Sequence, residues 1–181
     1  MSDRLRLPAA LLAAVLVIAV AQLVWAYSRL PEIVASHFDG AGRANGWMSR
    51  DAFVLSQLGL LGLIVVCFVG FPQALGRIPV RLISLPNRDY WFAPERRADT
   101  LDFMRRQLWW MACATILFLA AIAELVIGVN LGVYTTLPTA TMLVLLGAFL
   151  LYTLIWSLRF VRHFFRATCA TLPVASRDTA R

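Results

Sequence analysis

Four long apolar runs constrain the fold of this chain more than any other feature of its sequence. They cover residues 8–27, 52–75, 107–129 and 139–160. Each is at least as long as the roughly 20 residues that an α-helix needs to cross a hydrocarbon core about 30 Å thick. Because lipid offers the backbone no hydrogen-bond partners, such runs must be helical. The sequence therefore predicts an all-α integral membrane protein built as a four-helix bundle.

The four runs and their connections account for the whole chain, residues 1–181, as a single membrane domain. Of the 181 residues, 60% are hydrophobic, which is more than a soluble domain of this length would carry. The first run is longer than the roughly 7–15 residues of a signal-peptide core, so we expect it to be a retained helix. Two long polar connections remain, a first loop at residues 28–51 and a second loop at residues 76–106.

Arginine distribution predicts the orientation of the bundle. All 17 basic residues are arginines: 2 before the first run, 3 in the first loop, 7 in the second loop and 5 in the tail. Basic residues concentrate in cytoplasmic segments of membrane proteins. The count of 14 against 3 therefore predicts that both termini and the second loop are cytoplasmic (N-in/C-in) and that the first loop faces outside. Topology explains the net charge of +7 better than nucleic-acid binding does.

The first loop is predicted to begin with a short surface helix. Pro31 fits the first turn of a helix, where its missing N–H costs nothing, and Glu32 favours the positive end of the helix. A glycine-rich turn that includes Asn45-Gly46 follows. Trp47 then returns the chain to the bilayer surface. Ser49 is expected to cap the second transmembrane helix.

His37 is the most conspicuous candidate for chemistry in the first loop. A metal site needs three or four ligands, and the loop offers only His37, Asp39 and Glu32. The three cysteines of the chain are scattered and indicate neither a zinc site nor a disulfide framework. Catalysis would need a second base or a nucleophile at a defined geometry. We therefore favour a histidine that hydrogen-bonds the loop and fixes its fold, with no metal, no cofactor and no catalytic residue assigned.

Glu124 is a carboxylate inside the third apolar run. Charges within the membrane are costly and usually face a partner or a cavity. Gln22, Ser56 and Gln57 fall at similar depths, so the four side chains predict a polar pocket in the outer leaflet beneath the first loop. The hypothesis is that Glu124 anchors that loop through such contacts. The equally weighted alternative is an interfacial glutamate whose side chain reaches water.

The second loop contains aromatic and turn-forming residues that membrane topology alone does not require. Its seven arginines favour binding of anionic lipid headgroups or of a cytosolic protein, and its aromatic, turn-rich centre predicts a structured platform. Pro94 fits the start of a helix that runs directly into the third transmembrane segment. The residues assigned to this platform are Asn87, Asp89, Tyr90, Trp91, Pro94, Glu95, Arg96 and Arg97.

Six residues of the first loop form a motif: Pro31, His37, Phe38, Gly42, Gly46 and Trp47. With Leu30, this loop motif resembles the bacterial membrane domain of unknown function found at the start of SdpI-type immunity proteins. The platform residues resemble a second motif of that group. The two motifs cover about a quarter of the chain. The longer immunity proteins carry an additional membrane region, whereas this chain has four predicted helices.

The resemblance implies a multi-pass protein of the bacterial inner membrane. Some relatives protect the cell from a secreted toxin, and some sequester a transcriptional repressor at the membrane. We therefore predict a non-enzymatic protein that acts in envelope sensing or toxin immunity through protein or peptide contacts. The alternative is a membrane enzyme or small transporter that uses Glu124 and His37 in an outer-leaflet pocket. Membrane lipids and a protein or peptide are the expected partners.

Overall fold

The computed structural model describes residues 3–83 and 85–170. Four helices in this part of the chain are long and apolar enough to cross a membrane: Leu5–Tyr27, Arg50–Ala74, Pro94–Asn130 and Thr139–Phe165. The prediction of a four-helix membrane protein is therefore confirmed. Arg177 and Arg181, which were counted in the tail, lie outside the described residues.

The elements follow one another as α1 (Asp3–Tyr27), β1 (Ile33–Phe38), β2 (Ala44–Ser49), α2 (Arg50–Val65), α3 (Phe71–Ala74), α4 (Arg88–Trp91), α5 (Pro94–Asn130) and α6 (Thr139–Ala170). A π-helical segment at Val66–Gly70 joins α2 to α3, and 3-10 turns lie at Leu75–Arg77 and Val80–Leu82. We call residues 33–49 the hairpin and residues 75–93 the linker.

The second transmembrane segment changes its helical period just before Pro72. Proline has no N–H, so the usual donor to the carbonyl four residues earlier is missing. The Phe71 amide instead donates to the carbonyl of Val66, five residues back, which is the π pattern. The helix thus continues through Pro72, and the segment spans Arg50–Ala74, close to the predicted 52–75.

The long helix α5 forms the centre of the bundle. Its 37 residues begin at Pro94, so the predicted platform helix and third transmembrane segment are one continuous element. Buried residues of α1, α2 and α5, including Leu23, Leu61 and Ile116, form the main apolar core. The outermost helix, α6, packs on α5, where Phe118 and Phe149 stack with their ring centroids 4.6 Å apart.

Over residues 142–158 the remaining surface of α6 is largely apolar and exposed, as expected of a helix that faces lipid. Its exposed residues include Leu143, Val144, Leu150, Leu151, Leu154 and Leu158. The hairpin lies at one end of the bundle and the linker at the other, since α1 and the segment Arg50–Ala74 each run the length of the bundle between them.

The predicted short surface helix after Pro31 is wrong, because β1 and β2 pair there as an antiparallel hairpin. Ser49 does cap α2, since its side chain accepts the amide hydrogen of Ala52 at 3.2 Å. The cap begins α2 directly at the end of β2, so the hairpin joins the helix without an intervening loop.

Candidate functional site

The hairpin has an irregular register near its tip. Val34 pairs with Met48 and Ala35 with Trp47, but His37 pairs with Gly46, so Ser36 is an extra residue in β1. Such a bulge twists a strand and changes the direction of its side chains. Here it places the His37 side chain against Gly46, where an added Cβ would lie 3.0 Å from the Cβ of His37.

This packing explains two residues of the loop motif. Gly46 leaves the space that His37 occupies, and the Ser36 hydroxyl lies 3.0 Å from Nδ1 of His37. Phe38 is half-buried and packs on the apolar cluster below the hairpin. Within the described residues, no group of three or more histidine, cysteine, aspartate or glutamate side chains is placed to hold a metal ion. The contacts of His37 are therefore those of a residue that packs within the hairpin and supports its fold.

Asp39 organises the turn between the strands. Its Oδ1 accepts hydrogen bonds from the backbone amides of Ala41 and Arg43, each at 2.9 Å. Its own amide donates to the carbonyl of Arg43, and the Gly42 amide donates to the carbonyl of Asp39. An aspartate that accepts from the backbone in this way is a common turn-forming device. Asp39, a candidate metal ligand by its residue type, thus uses Oδ1 to bind the backbone of its own turn.

The tip of the hairpin is docked on the connection between α5 and α6. Gly42 has φ of 77°, a left-handed conformation that favours glycine, and its carbonyl accepts the Leu137 amide at 2.8 Å. A Cβ at Gly42 would overlap the carbonyl oxygen of Leu137. This glycine of the loop motif is therefore needed both for its backbone conformation and for the close approach of two loops.

The middle of the hairpin is held by Asn130 at the end of α5. The Ala35 amide donates to Oδ1 of Asn130 at 2.7 Å, and Nδ2 of Asn130 donates to the Ala35 carbonyl at 2.9 Å. The same Nδ2 donates to the Val126 carbonyl, also at 2.9 Å. The side-chain amide thus pairs with β1 as a neighbouring strand would, while remaining tied to its own helix.

Arg50 holds the base of the hairpin. Its Nη1 donates to the Leu30 carbonyl at 3.2 Å, and its amide donates to the Glu32 carbonyl at 2.9 Å. The guanidinium carbon lies 4.6 Å from the centroid of the Tyr27 ring, whose hydroxyl donates to Asp51. Cation–π contacts of this kind contribute about 0.5–2 kcal/mol. The hairpin is consequently held at its base, middle and tip.

The predicted outer-leaflet pocket forms only in part. Nε2 of Gln22 donates to Oε2 of Glu124 at 2.6 Å and to the Ala120 carbonyl at 3.1 Å. Gln57 lines a small crevice together with Gln22. Ser56 is exposed and donates to the Phe53 carbonyl of its own helix. The Glu124 hydrogen bond therefore joins α1 to α5, and the hairpin is held by other residues.

The linker forms a structured unit with the ends of α5 and α6. Nε1 of Trp91 donates to the Phe164 carbonyl at 3.3 Å, and the Arg96 guanidinium carbon lies 4.1 Å from the centroid of the Tyr90 ring. Nη2 of Arg97 donates to the Gly76 carbonyl at 2.8 Å. These contacts connect the two ends of the linker to the same part of α5.

The other predicted platform residues lie at the ends of helices or on the surface. Asn87 has φ of 52° immediately before α4, and Asp89 is exposed in α4. Pro94 is in the first turn of α5 and Glu95 follows it. Glu95 thus favours the positive end of α5.

Sequence reasoning missed Asn130, Arg50 and Leu137 as the residues that hold the hairpin. Each lies next to a helix end, where polar residues and prolines are read as local capping or stop signals. The hydrogen bonds between Asn130 and Ala35 connect residues 95 positions apart. No local pattern reports contacts at that separation.

Residues 14–63 match the model of a family described as a domain of unknown function (DUF1648). The matched region contains the hairpin and the adjoining parts of α1 and α2, and so all six residues of the loop motif. Asn130 and Leu137, which hold the hairpin, lie outside it. No curated protein and no solved structure shows a significant match. The match supports the expected membrane domain of unknown function, and the link to immunity proteins stays a prediction.

Proposed function

We propose that this membrane protein has a non-enzymatic function, and that its hairpin binds a protein or peptide outside the membrane. One observation carries the proposal: the hairpin backbone is held at three points, while Trp47 and Ile33 are each 60% exposed. Large apolar side chains on a fixed backbone lose little entropy on binding, and tryptophan is enriched among residues that dominate binding energy. Such a surface fits envelope sensing or toxin immunity through protein or peptide contacts.

The contacts of the two candidate chemical residues favour this proposal over an enzyme or transporter. Glu124 is hydrogen-bonded to Gln22 between α1 and α5, whereas His37 contacts Ser36 and Gly46 within the hairpin. A shared acid–base site would need the two side chains to converge on one reacting atom. Their partners instead suggest separate structural roles.

The orientation is part of the proposal. The hairpin and the linker lie at opposite ends of the bundle, and the arginine count of 14 against 3 favours a cytoplasmic linker. This topology, together with the resemblance described above, suggests the bacterial inner membrane with the hairpin on its outer side. A ligand of the hairpin would then be a secreted or envelope protein or peptide.

Cysteine labelling tests the orientation. In a variant without native cysteines, Ala41→Cys in the exposed hairpin tip should react with a membrane-impermeant maleimide in intact cells. Ala98→Cys, which is exposed on α5 near the linker, should react only after the membrane is opened. The reverse pattern would place the hairpin in the cytoplasm and overturn the outer-ligand proposal.

Photocrosslinking tests the binding surface. A benzoylphenylalanine at position 47 should form a protease-sensitive adduct of defined mass in living cells. The control is the same residue at position 144, which is 71% exposed on the lipid-facing side of α6 and should crosslink to lipid. If both positions give lipid adducts alone, Trp47 is an interfacial anchor of the membrane and does not mark a binding surface.

A further inference from the structure

A large groove lies between α5 and α6 near the linker end of the bundle. It encloses about 840 Å³ and is lined by one face of each helix. Phe103 and Trp110 lie seven residues apart on α5, and Tyr152, Arg159 and Arg162 follow one face of α6. Residues at these spacings share a helix face. The groove therefore runs along the axes of the two helices.

Contacts between α5 and α6 hold the apolar part of the groove in place. Nε1 of Trp156 donates to the Gln107 carbonyl across the two helices at 3.1 Å, and its ring stacks on Phe160 at 5.2 Å. The ring of His163 stacks on Phe103 with centroids 3.8 Å apart. These contacts fix the spacing of the two helices, so the walls of the groove are preformed.

The end of the groove nearest the linker carries positive charge that has no partner among the described residues. Arg159 and Arg162 are both exposed. Within the described part of the chain, neither forms an ion pair or a hydrogen bond. Helix α6 contains no aspartate or glutamate over Thr139–Ala170. Two guanidinium groups one helical turn apart are suited to bind a phosphate.

The length of the groove matches one leaflet of a membrane. From Tyr152 to Arg162 the helix rises about 15 Å, at about 1.5 Å per residue, and half of a hydrocarbon core is also about 15 Å thick. The arginines therefore lie at headgroup depth when Tyr152 is near the bilayer centre. Arginine side chains commonly extend toward the interface in this way.

We propose that the α5/α6 groove is a binding site for an anionic phospholipid. Arg159 and Arg162 bind the phosphate, and an acyl chain lies along the groove against Trp110, Tyr152 and Trp156. Charge complementarity distinguishes this lipid from the surrounding zwitterionic lipid, because arginines on a helix without carboxylates gain most from a ligand with net negative charge. The site is separate from the hairpin and lies at the other end of the bundle.

Lipid selectivity can be measured by spin-label spectroscopy of the full-length protein in phosphatidylcholine bilayers. The measured quantity is the motionally restricted fraction of spin-labelled phosphatidylglycerol relative to spin-labelled phosphatidylcholine. We expect a several-fold preference for phosphatidylglycerol. Arg159→Gln with Arg162→Gln should bring this ratio close to one. The matched control is Arg77→Gln with Arg81→Gln, which removes the same charge from exposed linker positions and should keep the preference.

Two outcomes would overturn the proposal. An equal loss of selectivity in both double variants would show that the attraction is general surface electrostatics. Displacement of the labelled lipid by millimolar inorganic phosphate, but not by chloride at the same ionic strength, would identify a site for free phosphate. Circular dichroism and thermal unfolding of each double variant would verify that the bundle is retained, so a loss of selectivity reports binding.

Discussion

Asn130→Ala is expected to release the hairpin from the bundle and to lower the free energy of unfolding by about 2–4 kcal/mol. The substitution removes three hydrogen bonds, of which two pair with the backbone of Ala35. Ala35 is only 7% exposed, so its amide and carbonyl would lose their partners with little access to water. A buried unpaired polar group costs more than the net contribution of the hydrogen bond it replaces.

Hydrogen exchange of the segment at residues 33–38 and thermal unfolding in detergent report this effect. We expect much faster exchange in Asn130→Ala and a lower melting temperature. Asn45→Ala is the matched control, because Asn45 is exposed on β2 and the same side chain is removed. Equal behaviour of the two variants would show that Asn130 does not hold the hairpin.

The four transmembrane helices could be predicted because hydropathy over about 20 residues is a strong and local signal. The continuous helix α5 was also predictable, since Pro94 fits a first helical turn and no glycine or proline interrupts the next 33 residues. Both features depend on the chain itself and on the membrane, and neither depends on a distant contact.

The hairpin could not be predicted with the same ease. Its burial does not alternate regularly along β1, because the bulge at Ser36 interrupts the two-residue period on which strand prediction depends. Pro31-Glu32 resembles a helix start, which favoured the wrong element. Ile33-Val34 was an available strand signal. Asn45-Gly46 predicted a turn, but both residues lie within β2, and the turn forms earlier, at residues 39–43. The pairing of β1 with Asn130 then supports an extended backbone that local preference leaves undecided.

The candidate site was likewise predictable only in part. The depth argument brought Gln22 and Glu124 to the same level of the bundle, and the structure places their side chains 2.6 Å apart. Depth alone could not tell which face of a helix a side chain occupies. Ser56 therefore appears in the predicted pocket although it is exposed on α2.

The loop motif contains one glycine whose replacement should have an effect comparable to the loss of Asn130. Gly42→Ala is expected to destabilise the protein by about 1–2 kcal/mol through its left-handed backbone, and by about 1–3 kcal/mol more through overpacking. The added Cβ would overlap the Leu137 carbonyl oxygen, which belongs to backbone and has little freedom to move. The tip of the hairpin should then separate from the connection between α5 and α6.

Gly40→Ala is the matched control for Gly42→Ala, since it makes the same substitution two residues away in the same turn. A Cβ at Gly40 would have no heavy atom within 4 Å, so this variant should unfold like the original protein. Limited trypsin digestion at Arg43 measures release of the tip, and cleavage should be faster in Gly42→Ala alone. Equal cleavage in both variants would show that the contact between Gly42 and Leu137 does not hold the tip. The hairpin would then be held at its base and middle only. A hairpin that is held at only two points would lose more conformational entropy when a ligand binds than one held at three. The comparison therefore also tests whether the hairpin is preorganised for binding.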